Sequence, residues 1–128
     1  MRAETRSITI QARPEDVLRF VADPFNLARW APDFAPSVHE RDGRWFIVGD
    51  FGEREIIVTA SVECGTFDLW PASDPGRGIR TRVIANGDGS EYLFTLLADD
   101  EIEPDALADQ LQGVEQELIA VRRLVQDG

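Results

Sequence analysis

The last quarter of the chain constrains its fold most strongly. Six aliphatic side chains recur there at alternating intervals of four and three residues: Leu107, Leu111, Val114, Leu118, Val121 and Val125. This spacing places them on one face of an α-helix. Pro104 and a run of acids stand at its beginning, and Arg122 and Arg123 stand near its end, as the helix dipole favours. We therefore expect a helix of roughly 22 residues, about 33 Å long, whose apolar face must pack on another element.

The residues before this helix have the patterns of strands and turns. Alternation around Ile8 and Ile10 predicts a first strand at residues 5–12. Two short helices follow, one beginning at Pro14 and one over residues 25–30 after Asp23-Pro24. Tight-turn sequences at residues 42–43 and 86–89 then separate β-rich runs. The remaining strands are predicted at residues 38–41, 44–48, 53–62, 66–70, 79–85 and 91–97.

This order of elements predicts an α+β fold. A seven-stranded antiparallel curved sheet would wrap around the long C-terminal helix, with two short helices after the first strand. The 128 residues are expected to form one domain over residues 1–128. Gly113 lies in the middle of the helix beside the apolar stripe, where glycine costs about 1 kcal/mol relative to alanine. It marks either a close approach of the backbone to a ligand or strand, or a tolerated surface glycine.

Charge and hydropathy exclude several classes of function. The chain has 24 acidic side chains against 13 basic ones, a net charge of −11, which disfavours nucleic acid and anionic membrane surfaces as partners. Apolar runs reach only four residues, so no stable insertion into a membrane is expected. The first residues lack an apolar signal segment, and Cys64 is the single cysteine. Both observations favour a cytoplasmic location.

Three segments resemble the small bacterial, polyketide-cyclase-like members of the helix-grip (START-like, SRPBCC) superfamily. They are ARPEDV at residues 12–17, WAPDF at residues 30–34 and GIRTRVIANGDGSE at residues 78–91. The superfamily also includes START lipid-transfer domains and birch-pollen-allergen-like proteins. The resemblance implies a deep cavity between the sheet and the C-terminal helix, an apolar or amphipathic small-molecule ligand, and neither a metal nor an organic cofactor.

The sequence contains none of the standard catalytic signatures. There is no nucleophile elbow, Walker loop or zinc-binding H-E-x-x-H. The run at residues 86–91 lacks the glycine and the distal glutamate of a calcium loop, so we interpret it as a hairpin turn. If the chain is an enzyme, its acid–base candidates are His39, Asp68 and Tyr92, with Arg82 orienting a carbonyl or enolate. At least two of these must then converge in one pocket.

Alternation leaves open which face of the sheet Asp68 occupies. Asp68 and Trp70 share one face of their strand, and Phe67 and Leu69 share the other. An inward Asp68 would need a partner such as Arg80 or Arg82 and would form a polar anchor in the cavity. An outward Asp68 would simply be solvated.

Aromatic side chains give the strongest indication of a ligand pocket. Their rings bury large apolar areas and often line cavities, although ordinary core packing explains them equally well. The predicted ligand-binding residues are Trp30, Phe34, Trp45, Asp68, Trp70, Arg82, Phe94 and Val114. Ile47, Ile57 and Ile84 are further candidates for the wall.

Three functional hypotheses follow from this reading. The first is a carrier or sensor that binds a hydrophobic or amphipathic small molecule. The second is a cyclase or dehydratase that uses acid–base residues in the cavity. The third is a protein-interaction module with an exposed apolar patch. The sequence is compatible with both a monomer and a homodimer.

Overall fold

The computed structural model describes all 128 residues and confirms the predicted α+β fold. Seven strands and three α-helices follow one another along the chain. The strands are β1 (Arg2–Ile10), β2 (Ser37–Arg41), β3 (Arg44–Gly49), β4 (Gly52–Ser61), β5 (Thr66–Pro71), β6 (Ile79–Asn86) and β7 (Gly89–Ala98). The helices are α1 (Pro14–Ala22), α2 (Leu27–Trp30) and α3 (Pro104–Gln126). A 3₁₀ turn, Pro24–Asn26, joins α1 to α2.

The strands form one antiparallel sheet in the order β1-β7-β6-β5-β4-β3-β2. Every strand from β2 to β7 pairs with its neighbour in sequence, because each connection is a hairpin. One of the two-residue connections is Asp42-Gly43, where both residues have a positive φ, of 55° and 77°. This is the backbone that a two-residue hairpin turn requires. Only β1 pairs out of sequence order, with β7.

The long helix α3 covers the inner face of the sheet. It packs on β1 and β7 and also contacts α1 and α2. Four side chains of its predicted stripe are buried, and two are half-buried. The buried residues of this stripe belong to one hydrophobic core cluster with inward side chains such as Ile10, Phe67 and Leu69, each no more than 1% exposed. None of the helices has the length and apolar character needed to cross a bilayer.

Two predicted boundaries differ from the structure. Strand β1 begins at Arg2 rather than near residue 5, because its charged residues pair with β7 along their whole length. The helix predicted over residues 25–30 is divided into the 3₁₀ turn and the four-residue α2. The Asp23 side chain accepts a hydrogen bond from the Phe25 backbone N–H and thereby begins this segment.

The outer face of the sheet has its own small packed region around Phe46. This ring is only 6% exposed, although its neighbours Trp45 and Ile47 point to the opposite, inner face. The guanidinium carbons of Arg41 and Arg44 lie 4.2 and 5.6 Å from the ring centroid. Each guanidinium is held by two hydrogen bonds to a glutamate of β4, Arg41 to Glu53 and Arg44 to Glu55. The arginine stems thus shield an aromatic ring from water.

Candidate functional site

A cavity of about 370 Å³ lies between α3, α2 and the inner face of β6 and β7. Apolar side chains form most of its wall. The complete lining is Leu27, Trp30, Ala31, Asp33, Phe34, Ile79, Phe94, Leu96, Asp109, Gln110, Gly113, Val114 and Glu117. Asp109 and Gln110 are exposed and therefore mark its mouth. The volume falls within the range of about 300–1,000 Å³ that is typical of ligand sites.

A wider groove of about 710 Å³ continues from this cavity along the surface between α2 and α3. The two spaces share six lining residues: Trp30, Ala31, Asp33, Asp109, Gly113 and Glu117. The groove adds polar and charged side chains, among them Arg29 and Arg123. An occupant could thus place an apolar body in the cavity and a polar end at the groove.

Trp30 forms part of the wall between cavity and groove. It is the last residue of α2 and is 1% exposed. Its indole Nε1 is buried and makes no hydrogen bond within the protein. A buried N–H without an acceptor is costly, since native proteins pair nearly all such groups. The Trp30 N–H is therefore an unsatisfied donor enclosed in the wall of the cavity.

Glu117 is the half-buried carboxyl group at the junction of cavity and groove. Burial raises its pKa from an ordinary value of 4.5 to about 7, and the charge of Asp33 adds to the increase. No arginine makes an ion pair with it, whereas its neighbour on the helix, Glu115, faces Arg6 at 3.7 Å. Glu117 thus changes its charge near neutral pH at the edge of a mostly apolar wall.

Four of the predicted ligand-binding residues line the cavity together. They are Trp30, Phe34, Phe94 and Val114, contributed by α2, the segment after it, β7 and α3. Each approaches from a different element, so the cavity exists only because the sheet curves beneath α3. Their contact with a ligand stays a prediction.

Asp68 and Trp70 of β5 lie on the outer face of the sheet, which corrects their predicted place in the cavity. Phe67 and Leu69 are buried in the core, so Asp68 and Trp70 point outward. Asp68 accepts a hydrogen bond from the Thr81 backbone N–H at 3.2 Å, and its carboxylate lies 3.9 Å from Arg80. The Arg80 guanidinium stacks 4.7 Å from the Trp70 ring centroid.

Arg82 is also exposed on the outer face, because the inward positions of β6 are taken by Ile79, Thr81 and Val83. Ile57 and Ile84 are outward too, 36% and 44% exposed, whereas Ile47 is buried in the core. These differences from the prediction have the same physical cause. The alternation of side chains along a strand shows which residues share a face, but it does not show which of the two faces is buried.

His39 and Trp45 lie at the far end of the sheet from the cavity. His39 is exposed on β2, where its Nε2 shares a hydrogen bond of 3.0 Å with the Ser37 hydroxyl. Trp45 points inward but packs edge-to-face on Phe25, with ring centroids 5.0 Å apart. Neither side chain lines the cavity or the groove.

Tyr92 is inward and fully buried, yet it is a core residue rather than a cavity residue. Its buried hydroxyl makes no hydrogen bond within the usual distance limit, and the nearby Thr81 hydroxyl donates to the Phe67 carbonyl at 2.6 Å. Burial raises the pKa of the Tyr92 phenol well above its usual range. His39, Asp68, Tyr92 and Arg82 thus do not converge in one pocket.

Glu117, an acid whose pKa is raised by burial, was not predicted from the sequence as a site residue. A signal for it exists in the helix periodicity. Gln110, Gly113, Glu117 and Ala120 recur at intervals of three, four and three beside the apolar stripe. This second stripe forms the cavity-facing edge of α3. Gly113, noted from the sequence, belongs to it, and a Cβ built there would meet no atom within 4 Å.

Comparison with known proteins identifies the fold. No family profile and no curated protein sequence matches the chain. Solved structures do match over nearly the whole length. The protein XoxI from Bacillus cereus has a TM-score of 0.77 at 15% identity, covering 99% of this chain and 97% of its own. The Aha1 dimer from Colwellia psychrerythraea has a TM-score of 0.76 at 16% identity, covering 98% and 97%.

The structure of Ara h 8.0201 matches over 99% of both chains, with a TM-score of 0.63 at 13% identity. At such low identities the likeness establishes the helix-grip fold alone.

Proposed function

We propose that this protein binds an amphipathic small molecule, with its apolar body in the cavity under α3 and its polar end at Glu117. The resulting role is that of a carrier or sensor. One observation carries the proposal. A cavity of about 370 Å³ with a mostly apolar wall has, at its junction with the groove, a carboxyl group whose pKa is raised to about 7. Apolar walls with few convergent polar groups are the usual composition of a ligand site.

The enzymatic alternative, a cyclase or dehydratase, has less support. None of its candidate residues His39, Asp68, Tyr92 and Arg82 lines the cavity. Glu117 is the one acid–base group with a pKa suited to neutral pH there. Binding needs only shape and hydrogen-bond complementarity, both of which the cavity offers.

The first test of this function is native mass spectrometry of freshly purified protein, followed by organic extraction. The second is fluorescence titration with the neutral apolar dye N-phenyl-1-naphthylamine. We expect saturable binding of one dye molecule. The variant Gly113→Leu should weaken it at least tenfold, because the new side chain enters space that is now empty.

The matched control is Ala108→Leu on the same helix. Ala108 is exposed and borders neither the cavity nor the groove. This variant should bind the dye as the wild type does. Failure of the wild-type protein to bind the dye, or equal loss in both variants, would contradict a site under α3.

A further inference from the structure

The carboxyl groups of the cavity determine what kind of polar end it can accept. Asp33, Asp109 and Glu117 line it, and no basic residue does. Ion pairs within the protein hold carboxylates elsewhere, such as Glu55 and Glu115. The three acids of the cavity take part in no such pair and accept no hydrogen bond. Their negative charge is therefore not neutralised by the protein itself.

The three acids come from both sides of the entrance and lie at different depths. Asp33, in the segment after α2, and Asp109, near the beginning of α3, are exposed, whereas Glu117 is half-buried. All three also line the groove, so they mark the passage between the two spaces. The rest of the cavity wall is mostly apolar, with side chains such as Phe94 and Val114. A molecule that fills the cavity would place its hydrocarbon part among these side chains and its outer end among carboxylates.

The two arginines of the groove do not pair with these acids. Arg29 donates a hydrogen bond to the Asn26 side chain at 3.2 Å, and its guanidinium carbon lies 5.4 Å from the Phe20 ring centroid. Arg123 lies six residues beyond Glu117, about 9 Å along the helix axis. Both arginines line the groove and neither lines the cavity. The mouth of the cavity thus keeps its negative charge.

Charge distinguishes three kinds of polar end at this mouth. An anionic end would meet like charges at short range in a poorly solvated space. A neutral alcohol would leave the carboxylates without a counter-charge. A protonated amine would neutralise the half-buried Glu117, and it would keep part of its hydration because Asp33 and Asp109 are exposed to solvent. The desolvation cost that usually offsets a buried ion pair is therefore reduced here.

Resting on the proposed function, we infer that the cavity selects a cationic amphiphile, an alkyl or aryl amine whose ammonium group lies at the mouth between Asp33, Asp109 and Glu117. The apolar wall then contacts the hydrocarbon part of the ligand. The ligand class is thus determined by charge at the mouth and by apolar contact inside.

Titration of Glu117 gives this binding a defined pH dependence. With a pKa of about 7, its carboxyl group is mostly neutral at pH 6 and mostly ionised at pH 8. The charged or titratable groups around it are Asp33, Asp109, Arg29, Arg123 and the buried Tyr92 phenol. The residues of β6 and β7 that line the cavity are apolar.

An alkylammonium group keeps its charge over this range, since such amines titrate near pH 10, as lysine does. If ionisation of Glu117 strengthens its binding about fivefold, which is the value of one partly solvated ion pair, the affinity should rise about threefold from pH 6 to pH 8. A neutral ligand gains no ion pair and only desolvates the carboxyl group further, so its affinity should not rise.

The experiment is displacement of N-phenyl-1-naphthylamine by three probes that share one hydrocarbon chain and differ in the charge of the polar end: octylammonium, 1-octanol and octanoate. At pH 8 and low salt we expect octylammonium to compete at about fivefold lower concentration than 1-octanol. Octanoate should be the weakest competitor. The preference for octylammonium should shrink at high salt, because the mouth is open to solvent and salt screens its charges.

Two variants on the same helix separate a charge at the cavity from the charge of the whole molecule. Glu117→Gln removes the half-buried carboxylate and keeps its shape. Glu115→Gln removes the same charge from a residue that lines neither the cavity nor the groove. The first variant should reduce the preference for octylammonium over 1-octanol towards one and abolish its rise with pH. The second should leave both properties unchanged.

Each outcome of the displacement series decides the inference. A fivefold preference for octylammonium that Glu117→Gln reduces and Glu115→Gln preserves supports it. Equal competition by octylammonium and 1-octanol, a preference for octanoate, or equal behaviour of the two variants overturns it, while binding of the dye keeps the cavity as the binding site. Absence of binding for the dye and for all three probes would overturn the proposed function as well.

Discussion

Gly113 offers a direct measurement of the free space under α3. It has an ordinary helical backbone, and a Cβ added there would meet no atom within 4 Å. The variant Gly113→Ala should therefore lower the entropy of the unfolded chain without introducing strain. Helix propensities give a gain of about 0.5–1 kcal/mol in the free energy of unfolding. For a chain of this length that corresponds to an increase in Tm of about 2–5 °C.

The assay is urea denaturation followed by far-UV circular dichroism, with the thermal midpoint measured in parallel. Gly78→Ala is the contrasting control, because its Cβ would lie 2.7 Å from the Trp70 Cβ and would overlap the Leu69 carbonyl oxygen. That variant should be destabilised. If Gly113→Ala were also destabilised, the helix would pack closely at this point, and the cavity could not have the described shape.

Three further predictions concern the site and the core. Burial raises the pKa of Glu117 to about 7, so its contribution to stability is fully present below pH 4.5 and is lost as the pH rises through 7. Glu117→Gln should reduce the change in the free energy of unfolding between pH 5 and pH 8 by up to about 3 kcal/mol. If urea titrations gave the variant and the wild type the same dependence on pH, the burial of this group would be contradicted. The outer-face variants His39→Gln, Asp68→Asn and Arg82→Ala should leave dye affinity within twofold of the wild type, and a larger loss in fluorescence titration would place the site elsewhere. Ser90→Ala removes a fully buried hydroxyl that donates to a backbone carbonyl at 2.5 Å, so denaturation should show a loss of about 1–3 kcal/mol, whereas an unchanged midpoint would mean that the carbonyl finds another donor.

The fold could be predicted because its determinants are local in sequence. The stripe on α3 and the Asp42-Gly43 turn each specify one element through spacing or backbone preference. A series of consecutive hairpins then allows only a few strand orders in the sheet. The pairing of β1 with β7 joins distant residues, but the topology of a sheet covered by one helix makes it the natural position for the first strand.

The site was only partly predictable because it depends on contacts between distant elements. Trp30 and Phe94 are large and apolar, so hydrophobicity alone suggested them as wall residues. The direction of Asp68 depends on which face of β5 the helices cover, and a strand's own sequence does not contain that information. Glu117 looks like an ordinary surface acid until α2 is placed against α3 and removes it from water.

The strand order described above leaves the sheet with two free margins, β1 and β2, whose outer backbone groups have no partner strand. Such margins invite edge-to-edge association between molecules. Here β2 has only five residues and ends in exposed His39, Glu40 and Arg41. Strand β1 carries Arg2, Glu4 and Arg6 on one face. A second molecule that added a strand to this edge would have to bury these charges. The charged side chains on both edge strands thus disfavour the addition of a further strand to the sheet.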